Sequence, residues 1–405
     1  MNTQYVKGKP IFTSINKSNN QYAYLNKDID VDICIIGGGV TGALAAYYLS
    51  KNNAKIALVE KNRVGYLSTS VTTSLLQYEL DDNIDELKNI IKPEDVIRAY
   101  KLGIKALDEI ESFAKQYGNN FNYVKRDCLL YTDNVYEKKI IKNEYNYRNQ
   151  NGLDVEYIEH SMKYGFLVEA GLISNHGAAE IDPYKFTHQL LDVAQSRHCK
   201  VYEHTEIIEI NHFDDYVQLR CEYNNIIKAK KVIVATGYNT DLFTTRQFAS
   251  KTTTYNIATK PIDELEQWDE RILIRDNNDP YTYLRTTQDN RIIIGGEDEE
   301  FIVSISDEGL ANKKYNILEE KLKSMYKNIK SDIEVEYKYC GAFASTKDNL
   351  GFVGPDNVNK NIWYLLGYGA NGILFAVLGA MMLSKLYNNQ VDPDMDLFKV
   401  DRFDT

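Results

Sequence analysis

Cysteine is scarce in this 405-residue chain: Cys34, Cys128, Cys199, Cys221 and Cys340 are the whole set. The count is odd, and no two stand at a C-x-x-C spacing. This argues against a disulfide framework or a thiolate zinc site and fits a reducing compartment. Positive charge is also in deficit, with 47 Lys and Arg against 58 Asp and Glu and a net charge of −11. Such a chain repels phosphate backbones and anionic membrane surfaces, so nucleic acid is not an expected partner. Long apolar runs are absent. The longest, 373–383 (ILFAVLGAMML), is too short to span a bilayer and reads as a buried helix. The opening residues, MNTQYVKGKPIFTS, hold no apolar core of a secretory signal. The six histidines form no H-x-x-x-H pair, and there is neither a G-x-S-x-G elbow nor a Ser-His-Asp arrangement. No metal site is expected, and the location expected is the cytoplasm.

What is present is an ordinary globular balance, 43% hydrophobic and 26% charged, which excludes wholesale disorder. The length exceeds a usual single core and implies two domains. Residues 31–36 (VDICII) suit a buried parallel strand. Residues 40–50 follow as an Ala- and Leu-rich helix, and 55–60 (KIALVE) as a second buried strand ending in an acid. Pro93 and Gly118 bracket a helical period over 93–117. Residues 135–150 read as a charged, exposed helix, and Asp182-Pro183 opens another. Strand-like material follows at 200–210, 216–223 and 231–235. A hairpin joins 281–285 to 291–295 across Thr287-Gln288-Asp289-Asn290. A helix fits 313–329, and strands fit 333–340 and 362–366. Residues 1–29 read as a loosely structured lead-in.

The most specific local signal is Gly37-Gly38-Gly39-Val40-Thr41-Gly42, a G-x-G-x-x-G that follows an apolar strand and opens a helix. Glu60 closes the next strand roughly 20 residues on, which is the context a dinucleotide fingerprint requires. Gly37 allows the tight turn, Gly39 lets a pyrophosphate approach the backbone at a helix start, and Gly42 permits close helix–strand packing. Glu60 would accept hydrogen bonds from ribose hydroxyls and repel a 2′-phosphate, leaving FAD and NAD open. Hydroxyls then crowd Ser68-Thr69-Ser70-Val71-Thr72-Thr73-Ser74. They offer donors to a diphosphate or serve merely as a capping segment. Residues 232–237 (VIVATG) end a strand in small residues, and 367–373 (GYGANGI) open the last helix.

Taken in order, DICIIGGGVTG, ALVEK, STSVTTSLL, AAEIDPYKFTHQLL, YEHTEI, VIVATGYNT, YLRTTQDNRIIIGGED, GAFASTKDNLGFVGP and LLGYGANGI resemble the D-amino-acid oxidase-like (DAO) family of FAD-dependent oxidoreductases over about residues 30–385. That family includes glycine oxidase, sarcosine oxidase and amine-oxidising relatives. The resemblance implies an α/β fold with a Rossmann-like FAD-binding domain of the glutathione-reductase type. A second, mainly antiparallel α+β domain would take the substrate. The FAD domain would be discontinuous (30–85, 150–250 and 345–390), with 86–149 and 251–344 forming the substrate domain.

The same resemblance implies roles for single residues. Gly37, Gly39, Val40, Thr41 and Gly42 would hold the pyrophosphate, Glu60 the ribose, and Lys61 the adenine edge. Ser68, Thr69, Ser70, Thr72 and Thr73 would run beside the diphosphate. Ile207 would offer backbone contacts to the adenine. Ala235, Thr236 and Gly237 would line the cofactor, and Gly369, Asn371, Gly372 and Ile373 would place a helix start near the flavin. No His stands in the first flavin-side loop and no Cys just before the last helix, so non-covalent FAD is expected, with Cys340 the remaining candidate for attachment. Phe343 stands where glycine oxidase carries a carboxylate-gripping arginine. Tyr281, Tyr283 and Arg285 share one strand face, so Tyr283 and Arg285 are candidate substrate-facing residues; Lys260 is a weaker one. The expected function is oxidation of a C–N bond of an amine or amino-acid-like substrate by hydride transfer to flavin, with oxygen or a carrier as acceptor. Oxidation of a hydroxy acid or polyol is the alternative.

Overall fold

The run VDICII lies in the strand Ile29–Ile36, at the middle of a parallel sheet, in a computed structural model that describes residues 5–17, 20–263, 265, 268–301, 307–327, 329 and 333–404. Its neighbours, Ile56–Val59 and Ile226–Val234, run parallel to it, and Ile33, Cys34 and Ile35 are wholly buried. Burial on both faces is what an unbroken apolar run requires. The chain folds as two units. A parallel-sheet unit gathers 16–70, 183–250 and the residues from Ala344 on; an antiparallel-sheet unit gathers the residues up to Ile15, 71–182 and 251–343.

In the parallel-sheet unit the strand order is Phe352–Pro355, Ile362–Leu366, Ile226–Val234, Ile29–Ile36, Ile56–Val59 and Lys200–Tyr202. Val217–Cys221 and Ile207–His212 extend it as an antiparallel meander. Helices Val40–Leu49, Pro183–Ser196 and Gly372–Tyr387 pack together beside the sheet. A second core holds Cys34, Ile36, Val232 and Val234 against Phe248, Phe352 and Tyr364.

The antiparallel-sheet unit carries a ten-stranded sheet in which, among the described pairings, only Val124–Thr132 and Leu273–Asp276 are parallel. Helix Glu308–Met325 covers one face, burying Leu318 and Leu322 against Ile257, Ile274, Leu284 and Ile294.

Several expectations need correction. Residues 71–85 and 150–182 belong to the antiparallel-sheet unit. Val168–Glu180 pairs there with Val124–Thr132, with Val155–Ser161 and with Leu75–Gln77. The lead-in is not loose throughout: Val6–Gly8 pairs with Tyr339–Gly341, and helix Ile11–Ile15 buries Ile11 and Phe12. The helix expected at 313–329 spans Glu308–Met325, because the Asp307 side chain caps it by accepting from Leu310 N at 3.0 Å. Residue 328 of that expectation lies outside the described residues. Finally, the charged helix, Lys138–Gln150, is not simply exposed. It buries Ile141, Glu144 and Arg148.

Arg148 is fully buried. Its Nη1 donates to Glu79 Oε1 at 2.6 Å and its Nε to Glu144 Oε1 at 2.8 Å. Glu144 also accepts from Tyr100 OH at 2.9 Å and from Ile84 N at 2.9 Å. The Arg148–Glu144 pair thus ties together two helices and the 79–84 segment. Removing one partner of a buried pair strands the other charge, at a cost of about 3–5 kcal/mol. Arg148→Ala is therefore expected to lower the stability of the antiparallel-sheet unit by about that amount. Denaturant unfolding checks this, and an unchanged midpoint would contradict it.

Candidate functional site

The site grows from the end of the central strand. Gly37 has φ 114°, and a Cβ there would strike the Ala235 carbonyl. A Cβ on Gly42 would strike the carbonyl of Gly37, so the helix Val40–Leu49 starts directly against the strand end. Its N-cap, Gly39, provides no capping side chain. The helix end keeps its partial positive charge, which favours an anion. Thr69 Oγ1 accepts from Val40 N at 3.0 Å, and a Cβ on Gly39 would meet that hydroxyl.

Glu60 is 7% exposed. Its Oε2 accepts from Gly38 N at 2.7 Å and its Oε1 from Asn62 N at 2.8 Å. Each oxygen retains a further lone pair for an incoming hydroxyl. Burial pushes the carboxyl pKa up, while the Asn62 and Gly38 amides and the Lys61 charge oppose the rise.

The last helix begins in the same manner. Gly367 and Gly372 each leave no room for a Cβ because of the other's carbonyl. Gly369 has φ 73° and donates to Ala344 O at 2.9 Å. Asn371 is the N-cap of Gly372–Tyr387 and makes no side-chain capping bond, and Ile373 is buried in the first turn. Ala235 N donates to Ile36 O at 2.9 Å. Thr236 Oγ1 is buried and has no hydrogen-bond partner among the described residues. Ile207 opens a strand at 8% exposure.

Two tyrosines that the sequence reading passed over knit these pieces together. Tyr368 OH donates to Gly237 O at 2.8 Å, the Tyr238 and Tyr368 rings stack at 6.0 Å, and Tyr238 hydrogen-bonds Ser68. Their positions directly after ATG and inside GYGANG were the available signal. The unit thus brings together Gly37–Gly42, Glu60, Lys61, Ser68, Thr69, Ala235–Gly237 and Gly369–Ile373. This is a glycine-lined edge with two helix starts whose N-cap residues make no side-chain capping bond, a buried carboxylate and an orphan hydroxyl. It fits a dinucleotide such as FAD.

Other expected residues are engaged elsewhere. Ser70 donates its hydroxyl to Tyr66 O and Leu67 O, at 3.0 and 2.8 Å. Thr72 and Thr73 fall in the antiparallel-sheet unit, where Thr72 Oγ1 accepts from Ser74 N at 3.1 Å. Lys260 pairs with Glu334 on the surface. Cys340 is wholly buried in the core under helix Glu308–Met325.

Arg285 is the main correction. It does share a face with Tyr281 and Tyr283, but it is 3% exposed, and its Nε and Nη1 are occupied. Nη1 donates to Thr73 O, Ser74 O and Ile181 O at 3.0, 2.7 and 3.0 Å, and Nε to Thr286 O at 3.0 Å. Glu180 lies 4.0 Å away. A long cation buried in a sheet must find acceptors, and backbone carbonyls are the nearest. Tyr283 stays partly open. Its OH lies 2.9 Å from Thr254 Oγ1 and donates to Asn256 Oδ1 at 3.3 Å.

Comparison with known proteins agrees with this geometry. Residues 32–386 match the DAO family, described as FAD dependent oxidoreductase. The chain is 23% identical to a putative Rieske 2Fe-2S iron-sulfur protein, YhfW, of Bacillus subtilis (strain 168), covering 94% of this chain and 73% of that protein. It is 20% identical to gamma-glutamylputrescine oxidoreductase of Escherichia coli (strain K12), covering 93% of this chain and 88% of that one. Glycine oxidase from Geobacillus kaustophilus superposes with a TM-score of 0.77 at 18% identity, covering 92% of this chain and 99% of the other.

Arg285→Ala is expected to destabilise the fold by roughly 3 kcal/mol, since it leaves the buried carbonyls of Thr73, Ser74, Ile181 and Thr286 without their donor. Arg285→Lys is expected to recover only part of this, because an ammonium lacks the planar fork. Thermal unfolding of both variants checks it. Wild-type stability with weakened substrate binding would instead return Arg285 to the role of a substrate anchor.

Proposed function

The chain belongs to the DAO family of FAD-dependent oxidoreductases, and from that premise we propose that it oxidises the C–N bond of an amine or amino-acid-like substrate lacking an α-carboxylate. The observation that carries the choice is the engagement of Arg285 by four backbone carbonyls, together with Phe343 at the position of the carboxylate-gripping arginine. The name of the gamma-glutamylputrescine relative supports an amine. FAD is the cofactor, and a small-molecule substrate and an electron acceptor follow from the family.

Gly37, Gly39, Val40, Thr41 and Gly42 would hold the pyrophosphate, Glu60 and Lys61 the ribose and adenine side. Thr69, Thr236 and Gly369–Ile373 would close the cradle. When bound, FAD supplies a two-electron acceptor for the hydride on the carbon beside nitrogen. The nitrogen lone pair then closes the C=N bond, and water added to that bond releases a carbonyl product and an amine. The chain's own contribution is to bind, orient and exclude water. Non-covalent attachment is supported by the burial of Cys340, and a cytoplasmic setting by five buried cysteines, all unpaired. Oxygen or a carrier would take the two electrons.

The purified protein is expected to be yellow, with colour passing to the supernatant on acid precipitation. Anaerobic addition of amines is expected to bleach it, and bleaching by hydroxy acids or polyols alone would replace this reading with C–O oxidation. Glu60→Gln is expected to weaken FAD binding at least about tenfold, in line with hydrogen bonds to a charged group being worth roughly 1.5–3 kcal/mol. Fluorescence titration of the apoprotein measures it, and unchanged affinity would remove Glu60 from the site.

A further inference from the structure

The strand Ile292–Glu300 carries one extra residue relative to its partner Ser250–Thr259: Tyr255 faces Gly296, but Thr253 faces Glu299. Gly296 and Glu297 take φ values of 134° and 59° there. Such a bulge re-aims the side chains beyond it. Here Glu297 and Glu299 turn to Lys314 on the covering helix, at 3.3 and 2.7 Å. Asp298 instead hydrogen-bonds Thr254, whose hydroxyl lies 2.9 Å from Tyr283 OH. Tyr283 and Asn256 both stand opposite Gly295, and a Cβ at that position would strike the Asn256 amide and the Tyr283 ring. The Tyr281 ring lies 5.7 Å from that of Tyr283.

Two polar atoms here call for a ligand. Among the described residues, Asp298 Oδ1 is buried without a hydrogen-bond partner, and so is Nδ2 of Asn256, a residue of 0% exposure. A lone acceptor asks for a cation or donor, and a lone donor asks for an oxygen. The surroundings favour the cation. Asp81, Glu297, Asp298 and Glu299 outnumber Lys314 and Arg275, the latter lying 3.9 Å from Asp81. Burial and Asp81 push the Asp298 carboxyl up to about 6, against the Thr254 hydroxyl and Lys314, so it is mostly ionised at neutral pH.

We infer that Asp298, walled by Tyr281 and Tyr283, binds a substrate ammonium that is not the one oxidised, while Asn256 Nδ2 meets an oxygen of the same substrate. The reasoning is chemical. Loss of hydride to form C=N needs a lone pair on the reacting nitrogen, so a carboxylate that stabilises an ammonium serves better at the far end of a diamine-like chain. The tyrosine faces add cation–π attraction. This rests on the amine reading above.

The test uses the holoenzyme with 1,4-diaminobutane and 1-aminobutane. Binding is read by calorimetry and turnover by anaerobic flavin bleaching. The diamine is expected to bind better than the monoamine, and Asp298→Asn to lower that preference at least tenfold with flavin content and unfolding midpoint unchanged. Tyr281→Leu is expected to lower it less. Equal preference in wild type and Asp298→Asn overturns the site, even if both proteins are bleached. Diamine binding that depends on Asp298 but never bleaches the flavin upholds the site and overturns amine oxidation instead. Absence of diamine binding overturns the site whatever bleaches the flavin.

Discussion

The helix Val40–Leu49 reaches its place only because positions 37 and 42 carry no side chain. The strand before it is held between two parallel neighbours and buried on both faces, so it has no room to shift. The same device recurs at Gly367 and Gly372. The strands Ile29–Ile36 and Ile362–Leu366 flank Ile226–Val234 in parallel, so the two helices begin at one edge of the sheet, on either side of Ala235. Two helix starts at the carboxyl edge of a parallel sheet make a positive rim, and such edges are where these sheets take ligands. Glu60, at the end of the next strand, adds the acceptor that such a rim otherwise lacks.

Burial of cations shapes the other unit. Arg148, Arg275 and Arg285 are each 5% exposed or less. A guanidinium taken from water needs every nearby acceptor it can find. Arg148 takes two carboxylates, Arg285 four carbonyls, and Arg275 the carbonyls of Leu80 and Asp81. These arginines fix the 73–85 segment to the sheet. They are consequently poor candidates for gripping a mobile substrate, and a carboxylate in the same region changes from a bystander into the group with capacity to spare.

Much of the parallel-sheet unit was legible beforehand because its signals are local. Glycine spacing, an unbroken apolar run and a terminal acid each act within a few residues, and the structure brings Gly37, Gly39, Gly42 and Glu60 together accordingly. What escaped was set by distant partners. Val168–Glu180 joins the antiparallel sheet through pairings with strands far along the chain, so its ends alone could not assign it to a unit. The helix Lys138–Gln150 looks exposed by composition, yet Glu144 and Arg148 are buried by each other and by Glu79. Arg285 was read correctly as to strand face and wrongly as to availability, since periodicity says where a side chain points and nothing of what waits there. Asp298 was invisible for a related reason. A strict alternation starting at Gly295 puts residue 298 on the wrong side, and only the bulge reverses it.

That reversal bears on how a flavin enzyme can choose an amine. Recognition at the reacting nitrogen faces a conflict, because solution amines arrive protonated while hydride loss requires the neutral form. A carboxylate at the reacting end would stabilise the unreactive species. Moving the ion pair to a second nitrogen separates binding from reactivity: the far ammonium can stay charged throughout, and interactions with it orient the chain without opposing the chemistry. A strand with one extra residue is enough to achieve this, for it carries a single acid past the sheet's alternation and leaves its two neighbours, Glu297 and Glu299, to neutralise the lysine on the helix behind.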